Sequence, residues 1–245
     1  NYLQEDSKTI VKTRVMGGNQ QHLRFDYEDT KEKTFDSFHK QKILEESKNC
    51  SMILISDYAK GTITKDLMNT LYSFRDKIIA DPKPKNIQLY KKVFLLKLNE
   101  IESFEMSSIK DPLEAGKFLK KELSSNIIIT RGNKGMSIFS EKSLDIPTYA
   151  EEVYDVTGAG DTVVAALAMA LSVGANLEDA AILANLSAGI KVSKKGTYSV
   201  SLNELMQKIN ADEKKVLNLE ELKNIILDIK KKGRKIVWTN GCFDI

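Results

Sequence analysis

The chain has 245 residues, of which 42% are hydrophobic and 29% charged. That balance excludes disordered, collagen-like and low-complexity classes and allows one large core. Its 37 Lys and Arg against 34 Asp and Glu leave a net charge of only +3, which argues against a protein held on nucleic acid by a strong overall field.

The only cysteines, Cys50 and Cys242, lie far apart, so neither a disulfide framework nor a cysteine zinc site is supported and a reducing cytoplasm fits. With only His22 and His39 present there is no H-E-x-x-H motif. The longest strongly apolar run, Val163 to Leu171, is well short of the roughly 18 residues that suggest a membrane span, so neither a transmembrane segment nor a signal peptide is read.

In chain order, the opening at Asn1 reads as the start of a fragment, because the first element already looks like the middle of a sheet. Thr9–Val15 and His22–Tyr27 read as two short strands around the turn Met16-Gly17-Gly18-Asn19. Phe35–Lys48 reads as an amphipathic helix. An alternation follows: strand Met52–Ser56, helix Thr64–Arg75, strands Lys77–Ala80 and Val93–Leu98, helix Asp111–Leu123, strand Asn126–Thr130. These strands are nearly continuous apolar runs, the signature of a parallel sheet covered by helices on both faces, so the fold class is α/β. Gly135–Ser140 and Leu144–Pro147 read as strands at the far edge of the sheet, followed by helices Gly160–Val173, Leu177–Val192, Leu202–Ile209 and Leu219–Lys232. Lys235–Thr239 then opens a strand that ends almost where the chain does, which reads as a second domain cut short.

The most specific segment is Asp155-Val156-Thr157-Gly158-Ala159-Gly160-Asp161, directly before an apolar helix. Two glycines permit a tight turn, and the amides of Gly158, Ala159 and Gly160 then face outward at a helix N-terminus, where the macrodipole also favours an anion. A carboxylate at that tip, Asp161, is placed to take a proton from a hydroxyl attacking a bound phosphate. The plainer reading of an isolated G-x-G-D is a helix-starting turn.

The flanking residues favour the first reading. The segment resembles the D-T-x-G-A-G-D signature of ribokinase-like (PfkB) sugar kinases, with Val156 where Thr is commoner. Asn99-Glu100-Ile101-Glu102 resembles that family's N-x-x-E motif, and Thr130-Arg131-Gly132 with Gly135 its nucleotide-side strand and turn. Ala184-Asn185, Ser187-Ala188-Gly189 and Lys194-Lys195-Gly196-Thr197 resemble the helix and loop walling its adenine pocket. A narrower likeness, to the kinase half of bacterial bifunctional heptose 7-phosphate kinase/heptose 1-phosphate adenylyltransferases, is carried by Thr13-Arg14-Val15, Asn19-Gln20-Gln21, Leu23-Arg24, Ser56 to Gly61 and Glu152 to Thr162. The tail Trp238 to Ile245 resembles the first strand of those enzymes' cytidylyltransferase-like domain.

The resemblance implies a three-layer ribokinase-like fold, with a mostly parallel sheet and a small β-strand lid. It divides the chain into a kinase domain over residues 1–210 lacking its N-terminal part, a helical linker over 211–234 and a truncated adenylyltransferase start over 235–245. It implies ATP and Mg²⁺ as cofactors, a sugar phosphate as substrate, and dimerisation through strands outside the main sheet, here Thr9 to Tyr27. In it Asp161 is the general base and the amides of Gly158, Ala159 and Gly160 hold the developing charge. Asn99 and Glu102 position Mg²⁺ and its waters, the alternative being a strand-end turn or helix start. Asn185 faces adenine or bonds a neighbouring carbonyl, and Arg131 meets a phosphate or is solvated. Gly132, Gly135, Lys194 and Gly196 shape loops against the nucleotide, and Asp155 braces the anion-binding turn. On the sugar side Asn19, Gln20 and Arg24 have types suited to hydroxyls and a phosphate. Asp57 and Lys60 follow a buried strand, where open α/β sheets place ligands.

Two alternatives stand beside this reading, a ribokinase-like kinase for another sugar or nucleoside and a non-catalytic nucleotide-binding fragment. The basic run Lys230 to Lys235 reads as a solvated helix end closed by Gly233, since no aromatic residues interleave with the charges.

Overall fold

The computed structural model describes residues 9–18, 20–28, 30–150, 152–213, 219–231 and 235–237. The chain divides into two compact units, Asn1–Val200 and Ser201–Ile245.

In the first unit Val11–Gly17 (β1) and Gln20–Tyr27 (β2) form their own antiparallel sheet, with a register shift at Val15/Met16. The pairs Val11–Tyr27, Thr13–Phe25 and Val15–Leu23 put apolar side chains on one face. Asn19, at the turn, lies outside the described residues.

The main sheet has six strands in sequence order: Ile53–Ser56 (β3), Ile78–Asp81 (β4), Leu95–Asn99 (β5), Asn126–Thr130 (β6), Met136–Phe139 (β7) and Ser143–Ile146 (β8). The first four run parallel and the last two pair antiparallel at the edge. Ser37–Asn49 (α1) starts on Asp36, whose carboxylate accepts from the His39 amide. Lys65–Thr70 (α2) starts on Thr64 and is shorter than the sequence reading, because the chain tightens into a 3₁₀ turn over Tyr72–Lys77 that hands the Arg75 carbonyl to the Phe94 amide. Glu100–Ser107 (α3), which the sequence reading held only as the helix-start alternative at Asn99 and Glu102, precedes Pro112–Leu123 (α4). Ala159–Ser172 (α5) and Leu177–Val192 (α6) complete the unit.

Alternating strand residues feed two cores. Ile78, Ala80, Leu96, Leu98, Ile127 and Ile129 pack with Leu67 of α2 and Leu119 of α4, whereas Ile79, Leu95 and Ile128 pack with Val163 and Leu167 of α5 and Ala181 of α6. These are the three layers expected of an α/β sheet. They also fix Lys97, between Leu96 and Leu98, on the α5 side.

In the second unit Leu202–Glu213 (α7) opens with a reciprocal cap, Glu204 accepting from the Ser201 amide at 3.0 Å and Ser201 Oγ from the Glu204 amide at 3.3 Å. Leu219–Lys231 (α8) follows. Residues 235–237 carry no strand, and the tail from Trp238 lies outside the described residues. No helix among the described residues is long and apolar enough to cross a membrane.

Candidate active site

The parallel strands β3, β4, β5 and β6 all end at one rim, where Asp57, Asp81, Asn99 and Arg131 stand at or just past their carboxyl ends. The N-terminus of α5 meets that rim. Gly158 turns the chain in the left-handed region (φ 76°), and Thr162 closes the first helical bond onto its carbonyl at 3.0 Å. Of the three amides expected to face an anion, that of Ala159 is spent on the Val156 carbonyl at 3.1 Å, because residues 156–159 form a hydrogen-bonded turn. The amides of Gly158 and Gly160 have no protein partner among the described residues.

Three hollows line up along this rim. A pocket of about 220 Å³ is walled by Asp161, Gly158, Gly160, Lys97, Lys83 and Glu102, together with Asp57, Tyr58 and Asp81. It shares Gly160 with a largely apolar cavity of about 320 Å³ lined by Gly132, Gly135, Val163, Asn185 and Gly189. On the other side it shares Ser56, Asp57 and Tyr58 with a hollow of about 350 Å³ that reaches Lys12, Lys60 and Ile63.

In the middle pocket the Tyr58 hydroxyl donates to Asp161 Oδ1 at 3.2 Å. Burial raises the Tyr58 pKa and the Asp161 charge raises it further, so the phenol stays protonated and remains a donor. Lys97 donates to Asp81 Oδ2 at 2.9 Å, and its ammonium stands 3.0 Å from where a Cβ on Gly160 would lie. Asp81 Oδ1 is buried with no hydrogen-bond partner among the described residues, and burial raises the Asp81 pKa against the opposing pull of Lys97. Four carboxylates and two ammonium groups therefore face one small space.

Asn99 and Glu102 are brought into this wall as a capping box. Asn99 Oδ1 accepts from the Glu102 amide at 2.8 Å and Glu102 Oε2 from the Asn99 amide at 3.0 Å. Glu102 Oε1 holds Lys83 at 2.5 Å. The helix-start alternative and the pocket position are thus both present in the same two residues. Among the described residues no group of three or more His, Cys, Asp or Glu is arranged to hold a metal.

On the cavity side Asn185 is 5% exposed and donates to the Pro147 carbonyl at 2.6 Å while lining the cavity. Gly132 and Gly135 line it as well. Gly135 has φ 85°, and a Cβ there would lie 2.0 Å from the Ile146 carbonyl oxygen. Arg131 is neither solvated nor free: it reaches Asp145 at 3.3 Å, and its Nε is buried without a hydrogen-bond partner among the described residues. Asp155 accepts from the Thr157 amide at 2.9 Å and the Gly196 amide at 3.0 Å, tying the glycine turn to the loop after α6. These backbone hydrogen bonds, that from Thr157 first, hold its carboxyl below the usual value of 3.8. Neither Gly196 nor Lys194 lines the cavity. The Lys194 ammonium lies 5.5 Å from the Tyr198 ring centroid.

The sugar-side residues divide. Asp57, 3% exposed, spends Oδ1 on the Ala59 amide (2.7 Å) and Oδ2 on Asn86 and Tyr90 (2.8 Å each), so it shapes the wall. Lys60 pairs with Glu28. Arg24 is clamped by Asp26, two positions along the same strand face, at 2.6 and 2.8 Å, and neither it nor Gln20 lines any of the three hollows. Tyr58, Asp81, Lys83 and Lys97 are pocket residues that the sequence reading missed.

Fold and rim together define a ribokinase-like α/β class. Ribokinase of Arabidopsis thaliana complexed with ribose and ATP superposes with a TM-score of 0.64 at 19% identity, covering 78% of this chain and 66% of its own. Phosphofructokinase-2 of Escherichia coli in complex with potassium gives 0.66 at 14% identity, covering 84% and 71%. At such identities the likeness establishes the fold.

The description "pfkB family carbohydrate kinase" matches residues 1–204, and the chain belongs to that family. Bifunctional protein HldE of a Nitratiruptor species is 40% identical over 259 residues, covering 99% of this chain and 55% of its own length. That of Sulfurimonas denitrificans is 36% identical over 262 residues, covering 99% and 54%. The chain spans about half the length of the curated relatives it matches. The family resemblance read from the motifs is borne out.

Proposed function

We propose that the chain is the kinase part of a cytoplasmic enzyme that phosphorylates D-glycero-D-manno-heptose 7-phosphate at O1 with ATP. The product is the 1,7-bisphosphate, a precursor of the ADP-heptose used in lipopolysaccharide core. The observation that carries the reading is the row of three hollows meeting at Gly160, Asp161 and Tyr58. The apolar cavity suits adenine, the middle pocket a triphosphate tail and the third hollow a polar acceptor. Asp161 accepts the proton of the anomeric hydroxyl, whose oxygen attacks the γ-phosphorus while the bond to the β,γ-bridging oxygen of ATP breaks. The amides of Gly158 and Gly160 and the Lys97 ammonium face the charge that builds on the transferring group.

Mg²⁺ supplies charge neutralisation on the triphosphate when bound. The absence of a three-ligand cluster among the described residues suits an ion that keeps its waters and takes one or two carboxylates plus phosphates. Asp81, with an unpartnered buried oxygen, and Glu102, whose oxygens each retain a lone pair, are the residues to hold it or its waters. The heptose assignment rests on the local matches at residues 13–24, 56–61 and 152–162 and on the relatives named HldE. The adenylyltransferase step belongs, in this reading, to sequence beyond this chain. The apolar face of the β1–β2 sheet, with Val11, Val15, Leu23, Phe25 and Tyr27 exposed, is the surface for pairing with a second copy.

The test is a panel of sugars and sugar phosphates with ATP on the full-length enzyme and its Asp161→Asn variant. Turnover with heptose 7-phosphate that is lost in the variant, with nucleotide binding retained, is the expected result. Turnover of ribose, fructose or adenosine without turnover of the heptose would overturn the assignment.

A further inference from the structure

Among the described residues of the first unit, two lysines are buried. Lys97 has a carboxylate partner, Asp81. Lys191, on α6, is 1% exposed yet forms no ion pair among the described residues. The one hydrogen bond its ammonium makes among the described residues runs from Nζ to the main-chain carbonyl of Asp155 at 3.3 Å. Burying an ammonium is costly unless charge and hydrogen bonds compensate it, and this ammonium keeps donor capacity to spare.

Its position gives the reason. Lys191 Cε lies 3.8 Å from where a Cβ on Gly158 would stand, directly behind the turn whose Gly158 and Gly160 amides are themselves unpartnered. The carbonyl it holds belongs to Asp155, the residue whose carboxylate ties this turn to Gly196. A positive charge, two free amides and a helix N-terminus converge on one spot, and beyond the nearby carboxylates of Asp155 and Asp161 they favour a further anion in front of the turn.

We propose that Lys191 is a positioning residue for the phosphate site. It anchors the Asp155 end of the glycine turn and places a fixed positive charge behind it, acting through the turn on the bound triphosphate. The proposal rests on the reading of that turn as the nucleotide's phosphate site.

The test measures binding of adenosine and of a non-hydrolysable ATP analogue to the full-length protein by calorimetry. Lys191→Met is expected to weaken the triphosphate about tenfold, the scale of one charge-assisted interaction, with adenosine affinity unchanged. Lys191→Arg should retain most of the affinity. Lys191→Ala should regain triphosphate binding when ammonium or methylammonium is added, but not with tetramethylammonium at equal ionic strength. If Lys191→Met fails to fold, the amine response of Lys191→Ala, or of Lys191→Gly should that also be needed, decides the matter. Wild-type affinity in Lys191→Met, equal loss of adenosine and triphosphate, or no response to small amines would overturn the proposal. A wild-type protein that binds the analogue but transfers no phosphoryl group overturns the kinase reading alone, and one that binds no triphosphate overturns both.

Discussion

The Tyr58 hydroxyl donates to Asp161 Oδ1 at 3.2 Å across 103 residues of sequence, joining the end of β3 to the first turn of α5. The carboxylate at the helix tip is therefore oriented from the β3 side of the pocket. Removing the hydroxyl leaves the ring to pack and takes away one neutral-to-charged hydrogen bond. Tyr58→Phe is expected to lower kcat about tenfold, with the KM for ATP little changed and the fold intact. Steady-state kinetics with thermal melting checks this; an unchanged kcat would show that Asp161 needs no orienting partner.

Lys97 and Asp81 form a pair whose members cannot be removed singly without leaving a buried charge. Lys97→Met is expected to destabilise the protein by about 3 kcal/mol, because the Asp81 carboxylate loses its partner. The double variant Lys97→Met/Asp81→Asn should recover most of that stability and none of the kinase activity. Denaturant unfolding together with an activity assay separates the two roles.

Gly132 and Gly135 flank the same short turn but differ in what surrounds them. At Gly132 (φ 55°) nothing lies within 4 Å of an added Cβ, whereas at Gly135 the Ile146 carbonyl oxygen is 2.0 Å away. Gly132→Ala should cost about 1 kcal/mol of backbone strain. Gly135→Ala should cost several times more, because backbone of the neighbouring edge strand must move. Comparing the two midpoints of chemical denaturation tests the difference.

Asp155 contributes a pH dependence of known sign. Its folded-state pKa lies below 3.8, so its contribution to stability is present above that value and is lost as pH falls through the lower folded-state value. Asp155→Asn should be less stable than wild type at neutral pH, and the gap should close in acid. Melting temperatures across an acid series, with the two curves converging, are the expected outcome; parallel curves would contradict it.

Much of this rim was legible because its parts are local in sequence. The residues from Asp155 to Asp161 carry the turn, the helix start and the acid within seven consecutive positions, and the apolar runs at residues 53–56, 78–80 and 126–130 need only period and composition to be read as buried strands. What escaped was set by distance and by competition. Lys97 is hidden inside an apolar run, and only the alternation of the strand turns it toward Gly160. Tyr58 owes its role to a partner on another element. Arg24 reads as a partner for a sugar phosphate until the strand geometry puts Asp26 on the same face. Helix α3 is short and weakly patterned, and its capping box at Asn99 and Glu102 was the one signal of its start.

Ser56, Asp57 and Tyr58 are a party wall between two hollows, which in the proposed function hold the reacting phosphate on one side and the acceptor on the other. A substitution there that reshapes one room reshapes its neighbour, so catalytic timing and choice of acceptor cannot drift independently along this stretch. Diversification toward a new acceptor is freer at Lys12, Thr62 and Ile63, which border the outer room alone.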